Sequence, residues 1–315
     1  MPKNFAITGV AGYVAPRHLK AIKDTENRLL AALDPHDSVG MMDQYFPNAR
    51  FFTEYERFDR HLEKLKREGV DQKIHYLSIC SPNYLHDAHI RMALRIGADA
   101  ICEKPLVLNP WNLDALAELE AETGRCVYTI LQFRVHPTLL VYKKQLEQES
   151  LHDKHEIELT YITSRGHWYL SSWKGNPERS GGLATNIGVH FFDMLIWLFG
   201  DVEHSEVHYV DSQKIGGFLE LERARVRWFL SIDYETLPET AKENNLRTFR
   251  SMIIDGQEIE FSGGFTELHT KIYQETLQGR GFVIDDTRPA IQLVCDIRGV
   301  EPIGIQHHSH PFLKN

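Results

Sequence analysis

Within the first 33 residues an apolar run, a glycine-bearing turn, a helical stretch and a second apolar run follow one another with almost nothing to spare, and this order constrains the fold more than any other feature. Residues 5–8 read as a strand, 15–22 as a helix and 28–33 as a second strand ending at Asp34. The alternation then continues. Residues 74–80 read as a strand followed by a loop at Ser81-Pro82-Asn83, 86–96 as a helix stopped by Gly97, and 100–102 as a strand. Asn109 and Pro110 supply an N-cap and a first-turn proline for a helix running through Glu122, and Gly124 closes it. Residues 127–132 read as a further strand. Strands alternating with helices predict a parallel, doubly wound sheet. The segment 35–73 is less regular; 58–68 has helical character with charges of both signs, as on a solvated helix face.

From about residue 135 the pattern changes. Residues 156–163 alternate like a half-buried strand, and 189–199 form an apolar helix ended by Gly200. Strand-like runs follow at 207–210, 218–221, 224–233, 248–254 and 258–261, with Asp255-Gly256 as a hairpin turn signal between the last two. Strands in succession predict an antiparallel sheet. The expected organisation is an α/β domain over residues 1–130 and an α+β domain with a large, mostly antiparallel open sheet over 131–315. A length of 315 residues gives each domain enough chain for its own core.

Composition excludes some roles. The formal net charge is −9 and no Lys/Arg-dense run occurs, so neither a nucleic acid nor a membrane is an expected partner. The start, Met1-Pro2-Lys3-Asn4-Phe5, lacks a long apolar region, and no stretch of about twenty apolar residues is evident. Cys80, Cys102, Cys126 and Cys295 are scattered without zinc-type spacing and read as buried, reduced thiols of a cytoplasmic protein. The tail His307-His308-Ser309-His310 carries metal-ligand side chains but reads as a disordered end, and no metal site is expected.

Four motifs carry chemistry. Gly9-Val10-Ala11-Gly12-Tyr13-Val14-Ala15 lies between a strand and a helix, where small residues let backbone approach a pyrophosphate at the helix N-terminus. The spacing departs from G-x-G-x-x-G: Ala11 holds the second glycine position and Gly12 comes one residue late. Asp34 ends the next strand, where a carboxylate accepts ribose hydroxyls and repels a 2′-phosphate, favouring NAD over NADP. Ser81-Pro82-Asn83-Tyr84-Leu85-His86 and Glu103-Lys104-Pro105 each follow a strand, the place where open α/β sheets hold ligands. Lys104 there could hold a hydroxyl and stabilise its developing negative charge, and the following X-Pro bond is one that can be cis. In Gly181-Gly182-Leu183-Ala184-Thr185-Asn186-Ile187-Gly188-Val189-His190, Asn186 and His190 are four apart and share a helix face, and His190 is a proton acceptor suited to neutral pH.

These segments, in this order, resemble the glucose-fructose oxidoreductase / inositol dehydrogenase / rhizopine catabolism (Gfo/Idh/MocA) family over nearly the whole chain; the Glu-Lys-Pro and Gly-x-His pair is its specific mark. Tyr13-Val14-Ala15-Pro16-Arg17-His18, Ser172-Trp173-Lys174-Gly175-Asn176-Pro177 and Phe265-Thr266-Glu267-Leu268-His269 are similar to its bacterial UDP-N-acetyl-2-amino-2-deoxyglucuronate 3-dehydrogenases of surface-polysaccharide pathways. The resemblance implies a Rossmann domain binding NAD, an enzyme oxidising a sugar C3 hydroxyl to a ketone, and, as in some relatives, recycling of NADH by 2-oxoglutarate. It implies Lys104 and His190 as the catalytic pair, with Asn186 beside them; many members have Asp at that position, so a hydrogen-bonding role replaces a proton relay. It implies Gly9, Gly12, Tyr13, Val14, Asp34, Ser81, Asn83, His86, Glu103, Lys104 and Gln132 as cofactor contacts. Arg17, Arg165, Trp168 and Lys174, with Asn186 and His190, are the substrate candidates, since a diphosphate and a uronate call for cations. A homotetramer formed through the open sheet is expected. Two other readings stay open: a dehydrogenase or ketoreductase of another nucleotide-linked or free sugar, and a non-catalytic NAD-binding regulator.

Overall fold

The structure, a computed structural model, describes residues 2–69, 71–149, 154–259, 261 and 267–314. The chain forms two compact units, Met1–Val135 with Thr266–Arg288 and His136–Phe265 with Pro289–Asn315. Where the sequence reading cut the chain once, after residue 130, the chain re-enters its first unit near residue 266. The apolar residues Ile272 and Tyr273 of the helix Leu268–Leu277 belong to the core built on Phe5 and Ile7.

The first unit holds a six-stranded sheet of β1 (Asn4–Thr8), β2 (Arg28–Leu33), β3 (Arg50–Phe52), β4 (Tyr76–Ile79), β5 (Asp99–Cys102) and β6 (Val127–Thr129). The order is β3-β2-β1-β4-β5-β6 and every pairing is parallel. The winding reverses between β1 and β4, the switch point at which such sheets open a crevice. Residues 35–73 supply β3 and the helix Tyr55–Arg67, which buries only Phe58, Leu62 and Leu65 and turns its charged side to solvent. The strand expected over 127–132 stops at Thr129, and Gln132–Val135 form a 3₁₀ turn.

The second unit holds β7 (His155–Thr163), β8 (Val202–Val210), β9 (Lys214–Leu221), β10 (Ala224–Ser231), β11 (Thr248–Ile254) and β12 (Gln257–Glu258), in the order β12-β11-β7-β10-β9-β8. Only β7 and β10 pair in parallel. Asp255 and Gly256 take φ of 50° and 80° and turn β11 into β12, as the sequence predicted. Residue 260 of the expected strand 258–261, and Phe265-Thr266 of the quoted resemblance, lie outside the described residues. The helix Val189–Phe199 covers one sheet face, with Phe192 edge-on to Trp228.

Three expectations are corrected. The tail is ordered over the described residues: Ser309 and His310 are fully buried, His310 stacks on Phe229 and Phe312 packs beside it, because these apolar rings gain more by covering the sheet than by fraying. The helical run Pro177–Phe199 is, by length and composition, apolar enough to cross a bilayer, yet most of it is buried inside the unit. Of the four free cysteines only Cys80 and Cys102 are buried; Cys126 is exposed and Cys295 half-buried.

Candidate functional site

Register builds the candidate residues of the first unit. Thr8 pairs with Leu33 and Ile79, Ile79 with Cys102, and Cys102 with Thr129. The residues that follow these partners therefore emerge along one carboxyl edge: Gly9, Asp34, Cys80-Ser81 and Glu103-Lys104. Three of the four motifs, with Asp34, thus become a single row although the sequence scatters them from residue 9 to residue 104.

The turn after β1 has no room for side chains. Gly9 has φ +77°, and a Cβ there would lie 2.5 Å from the Cys80 carbonyl and the Ser81 nitrogen. A Cβ on Gly12 would already stand 3.0 Å from the Gly9 carbonyl oxygen. Asp34 is buried; its Oδ2 accepts the Ala11 N–H at 3.0 Å and its Oδ1 the His36 N–H at 2.9 Å. The glycine cradle before the helix Ala15–Asp24, with an acceptor at the end of β2, fits an adenine dinucleotide that lacks a 2′-phosphate. Tyr13 and Arg17 stand exposed at the rim of this turn, the guanidinium 5.8 Å from the ring centroid. Val14 caps the helix, and Gln132 lies half-buried in its 3₁₀ turn.

Ser81 and Asn83 are buried at the next loop. His86, implied as a cofactor contact, is a strut: its Nδ1 faces the Pro105 carbonyl at 2.7 Å and its Nε2 the Ser81 carbonyl at 2.8 Å. Burial holds its pKa below the usual value, so the neutral ring donates to one carbonyl at a time and ties the Ser81 loop to the Lys104 loop. The Lys104–Pro105 peptide is cis.

Behind Lys104 lies a buried chain that the sequence reading did not assign. Glu103 Oε1 accepts from Nε2 of His18 at 2.9 Å and Nε2 of His269 at 3.0 Å. The carboxylate only accepts, so both Nε2 atoms carry protons. His18 Nδ1 is then free to accept from the Tyr273 hydroxyl at 2.7 Å, whose oxygen accepts from Ser78 Oγ at 2.6 Å. Burial pushes the Glu103 carboxyl up, but the two imidazole donors outweigh it and hold it well below the usual range. Burial likewise lowers His18. His18 and His269 stood in the stretches quoted for the resemblance; the 250 residues between them hid their common partner.

In the second unit the glycines again set the geometry. Gly181 and Gly182 take φ of +82° and +75° and start a helical run whose first turn, Ala184–Gly188, is a π-helix. A Cβ on Gly188 would meet Leu230 at 2.6 Å and Phe192 at 2.9 Å. Asn186 is buried in the π turn and donates to the Tyr169 hydroxyl at 2.5 Å; His190 follows, half-buried, on the α-helix. Simple i/i+4 reasoning could not foresee the wider turn. Among the substrate candidates, Arg165 and Trp168 are exposed, and Lys174 lies 4.3 Å from the Trp173 ring centroid and 5.8 Å from that of Trp168. Burial, aided by Arg165, lowers the Lys174 pKa. A lysine beside a second positive group suits an anionic ligand.

Comparison with known proteins agrees with this geometry. Residues 3–131 match the family model described as GFO_IDH_MocA, oxidoreductase family, NAD-binding Rossmann fold, and residues 143–227 match its C-terminal alpha/beta domain. A crystal structure of the WlbA (WbpB) dehydrogenase from Thermus thermophilus in complex with NAD and alpha-ketoglutarate has 53% identity and a TM-score of 0.95, covering 99% of this chain and 100% of that one. The same enzyme in complex with NAD and UDP-GlcNAcA matches with 52% identity, the same coverage and the same TM-score. Escherichia coli D-glucoside 3-dehydrogenase is 27% identical over 44% of this chain and 40% of its own length. The chain thus spans under half the length of that curated relative.

Proposed function

The chain belongs to the Gfo/Idh/MocA family of NAD-binding oxidoreductases, and from that premise we propose that it oxidises the C3 hydroxyl of a UDP-linked N-acetylglucosaminuronate to a 3-keto sugar. The observation that carries this reading is the likeness, over 99% of the chain, to a dehydrogenase crystallised with NAD and UDP-GlcNAcA. The row Gly9, Asp34, Ser81 and Glu103-Lys104 supports NAD as the cofactor.

Bound NAD supplies the hydride acceptor. His190 takes the proton of the C3 hydroxyl, and Lys104 orients the oxygen and stabilises its developing charge. Glu103, ionised and held by His18 and His269, fixes the backbone that presents Lys104. Asn186 and Tyr169 hold the turn before His190. Arg165 and Lys174 meet the anionic groups of the nucleotide sugar, with Arg17 and Trp168 beside them. Recycling of NADH by 2-oxoglutarate belongs to the same reading, supported by the relative's complex with alpha-ketoglutarate. So do a cytoplasmic homotetramer and a place in bacterial surface-polysaccharide assembly; light scattering reports the tetramer.

The test is to record the absorbance of the purified protein at the reduced-nicotinamide band, then add UDP-N-acetylglucosaminuronate with 2-oxoglutarate and seek the 3-keto sugar by mass. Ketone formed together with 2-hydroxyglutarate supports the full reading. NADH accumulating while 2-oxoglutarate is untouched retains the dehydrogenase and removes the recycling. Protein that holds NAD but leaves this sugar unchanged, while oxidising another, overturns the substrate assignment.

A further inference from the structure

In the second unit, strand β8 carries a further cluster of ligating side chains. Glu206 and His208 are two apart on β8, whose pairing is irregular between Val207 and Tyr209, and their side chains meet on one face of the strand. Phe218 of β9 pairs with Glu206 and stands on that face too. The tail runs along the strand, with the Ile303 N–H donating to the Val207 carbonyl at 2.9 Å, and this brings His308 down over Phe218, 4.8 Å between ring centroids. Three ligand atoms converge there. Glu206 Oε2 lies 2.9 Å from His208 Nε2 and 2.7 Å from His308 Nε2, and all three atoms fall within 4.8 Å of one another.

We infer that Glu206, His208 and His308 form a binding site for a divalent transition-metal ion of the zinc class, which clips the tail to the edge of the second sheet. Two imidazoles and one carboxylate match the donor preference of such ions, and the set carries one negative charge toward a dication. The environment is graded as a metal site requires. The His208 side chain is fully buried, whereas Glu206 and His308 are 22% and 27% exposed, which leaves a route for the ion and room for a water as fourth ligand. The outer shell is also in place. His208 Nδ1 lies 2.8 Å from Ser309 Oγ, which already accepts the Gln306 N–H at 2.8 Å. Without metal, His208 donates from Nε2 to Glu206 and accepts the Ser309 proton at Nδ1. With metal, Nε2 gives up its proton to coordinate, the ring carries its proton on Nδ1, and Ser309 Oγ turns from donor to acceptor. The ligand atoms need only part slightly from hydrogen-bond spacing. His204 also reaches Glu206, at the other oxygen, 3.0 Å away, but it is over half exposed and lies outside the convergent trio. The trio His18, Glu103 and His269 offers ligand types as well, but all three of its residues are buried, which leaves no route for an ion.

The experiment is titration of chelator-treated full-length protein with Co²⁺, read by visible absorption, and with Zn²⁺, read by calorimetry. The expected result is one ion per chain, with the intense visible bands of a tetrahedral cobalt site. Glu206→Gln and His308→Asn, near-isosteric changes at half-buried positions, each weaken binding by more than about 100-fold, and Ser309→Ala by about 10–100-fold, the range for loss of an outer-shell partner. His204→Ala leaves it unchanged. No uptake by the wild-type protein overturns the inference, and that measurement needs no variant to fold. Uptake that survives both ligand substitutions places the ion elsewhere and overturns it equally.

Discussion

At the scale of single residues, a buried charge is the costliest object in the first unit, and the chain surrounds Glu103 with donors to keep it. A carboxylate cut off from water loses several kcal/mol of solvation unless hydrogen bonds replace it. His18 and His269 replace it at one oxygen, and the Lys104 N–H lies 3.3 Å from the other. Glu103 therefore spends its charge on holding the loop, which leaves Lys104 and His190 as the groups available for chemistry. Substituting either, as Lys104→Ala or His190→Ala, is expected to lower turnover by about 10²–10⁴-fold, the usual worth of a positioned acid or base, and to cost NAD affinity far less. Steady-state kinetics beside an NAD titration separates the two effects. Turnover that survives both substitutions removes the proposed roles. His269→Asn acts through Glu103, so it is expected to lower kcat by a smaller factor and leave KM for the sugar little altered.

Among elements, a tight contact joins the turn after β1 to the end of β4. Gly9→Ala forces a Cβ to within 2.5 Å of the Cys80 carbonyl at a φ of +77°. Strain of that kind costs at least about 2 kcal/mol and pushes the Ser81 loop off its place. Gly97 offers the control: φ is +81° at a helix C-cap and a Cβ there meets nothing within 4 Å, so Gly97→Ala costs only about 1 kcal/mol. Denaturant unfolding with an NAD titration on each variant is expected to show lost NAD binding for Gly9→Ala alone. Equal NAD affinity in both variants would detach the turn from the cofactor. This same contact marks the limit of what was legible in the sequence. The order of β1, helix and β2, the caps at Asn109 and Gly97, and the 255–256 hairpin rest on local periodicity and turn chemistry, and they were readable. The return of the helix Leu268–Leu277 to the first unit, the π turn at Ala184–Gly188 and the packed tail depend on partners distant in sequence. Phe312 gives no local sign that it packs against Phe229. His269 gives none that it faces Glu103. Lys104 and His190 are proposed from motifs, whereas the side chains packed around their loops needed the fold.

Taken over the whole molecule, buried and half-buried histidines couple folding to acid. His18, His61, His75, His86 and His89 all have pKa values lowered chiefly by burial. The sign follows directly. In the unfolded chain each titrates near 6.5, so as pH falls the unfolded state takes up a proton first and the folded state is the one that loses ground. For His89, lowered to about 4, the loss begins near pH 6.5 and is complete only below about 4. By pH 5 it amounts to roughly 2 kcal/mol from this group alone. Glu103 pushes the same way at lower pH: its depressed pKa gives stability that is present above about 4.5 and lost as pH falls toward its folded value. The protein is therefore expected to unfold at progressively lower urea concentration as pH drops from 7.5 to 5. His89 binds Ser81 Oγ at 2.9 Å and stacks on Tyr55, so it also links this titration to the cofactor loop. Replacing it as His89→Gln, which keeps a hydrogen-bonding group but no titrating proton, is expected to cost stability at neutral pH. It should also flatten the pH dependence between 6.5 and 4 by about one proton. A urea series on the wild-type protein and this variant at pH 7.5, 6.0 and 5.0 checks the slope. If the two slopes are equal, the acid sensitivity does not run through His89, and the other four histidines have to carry it.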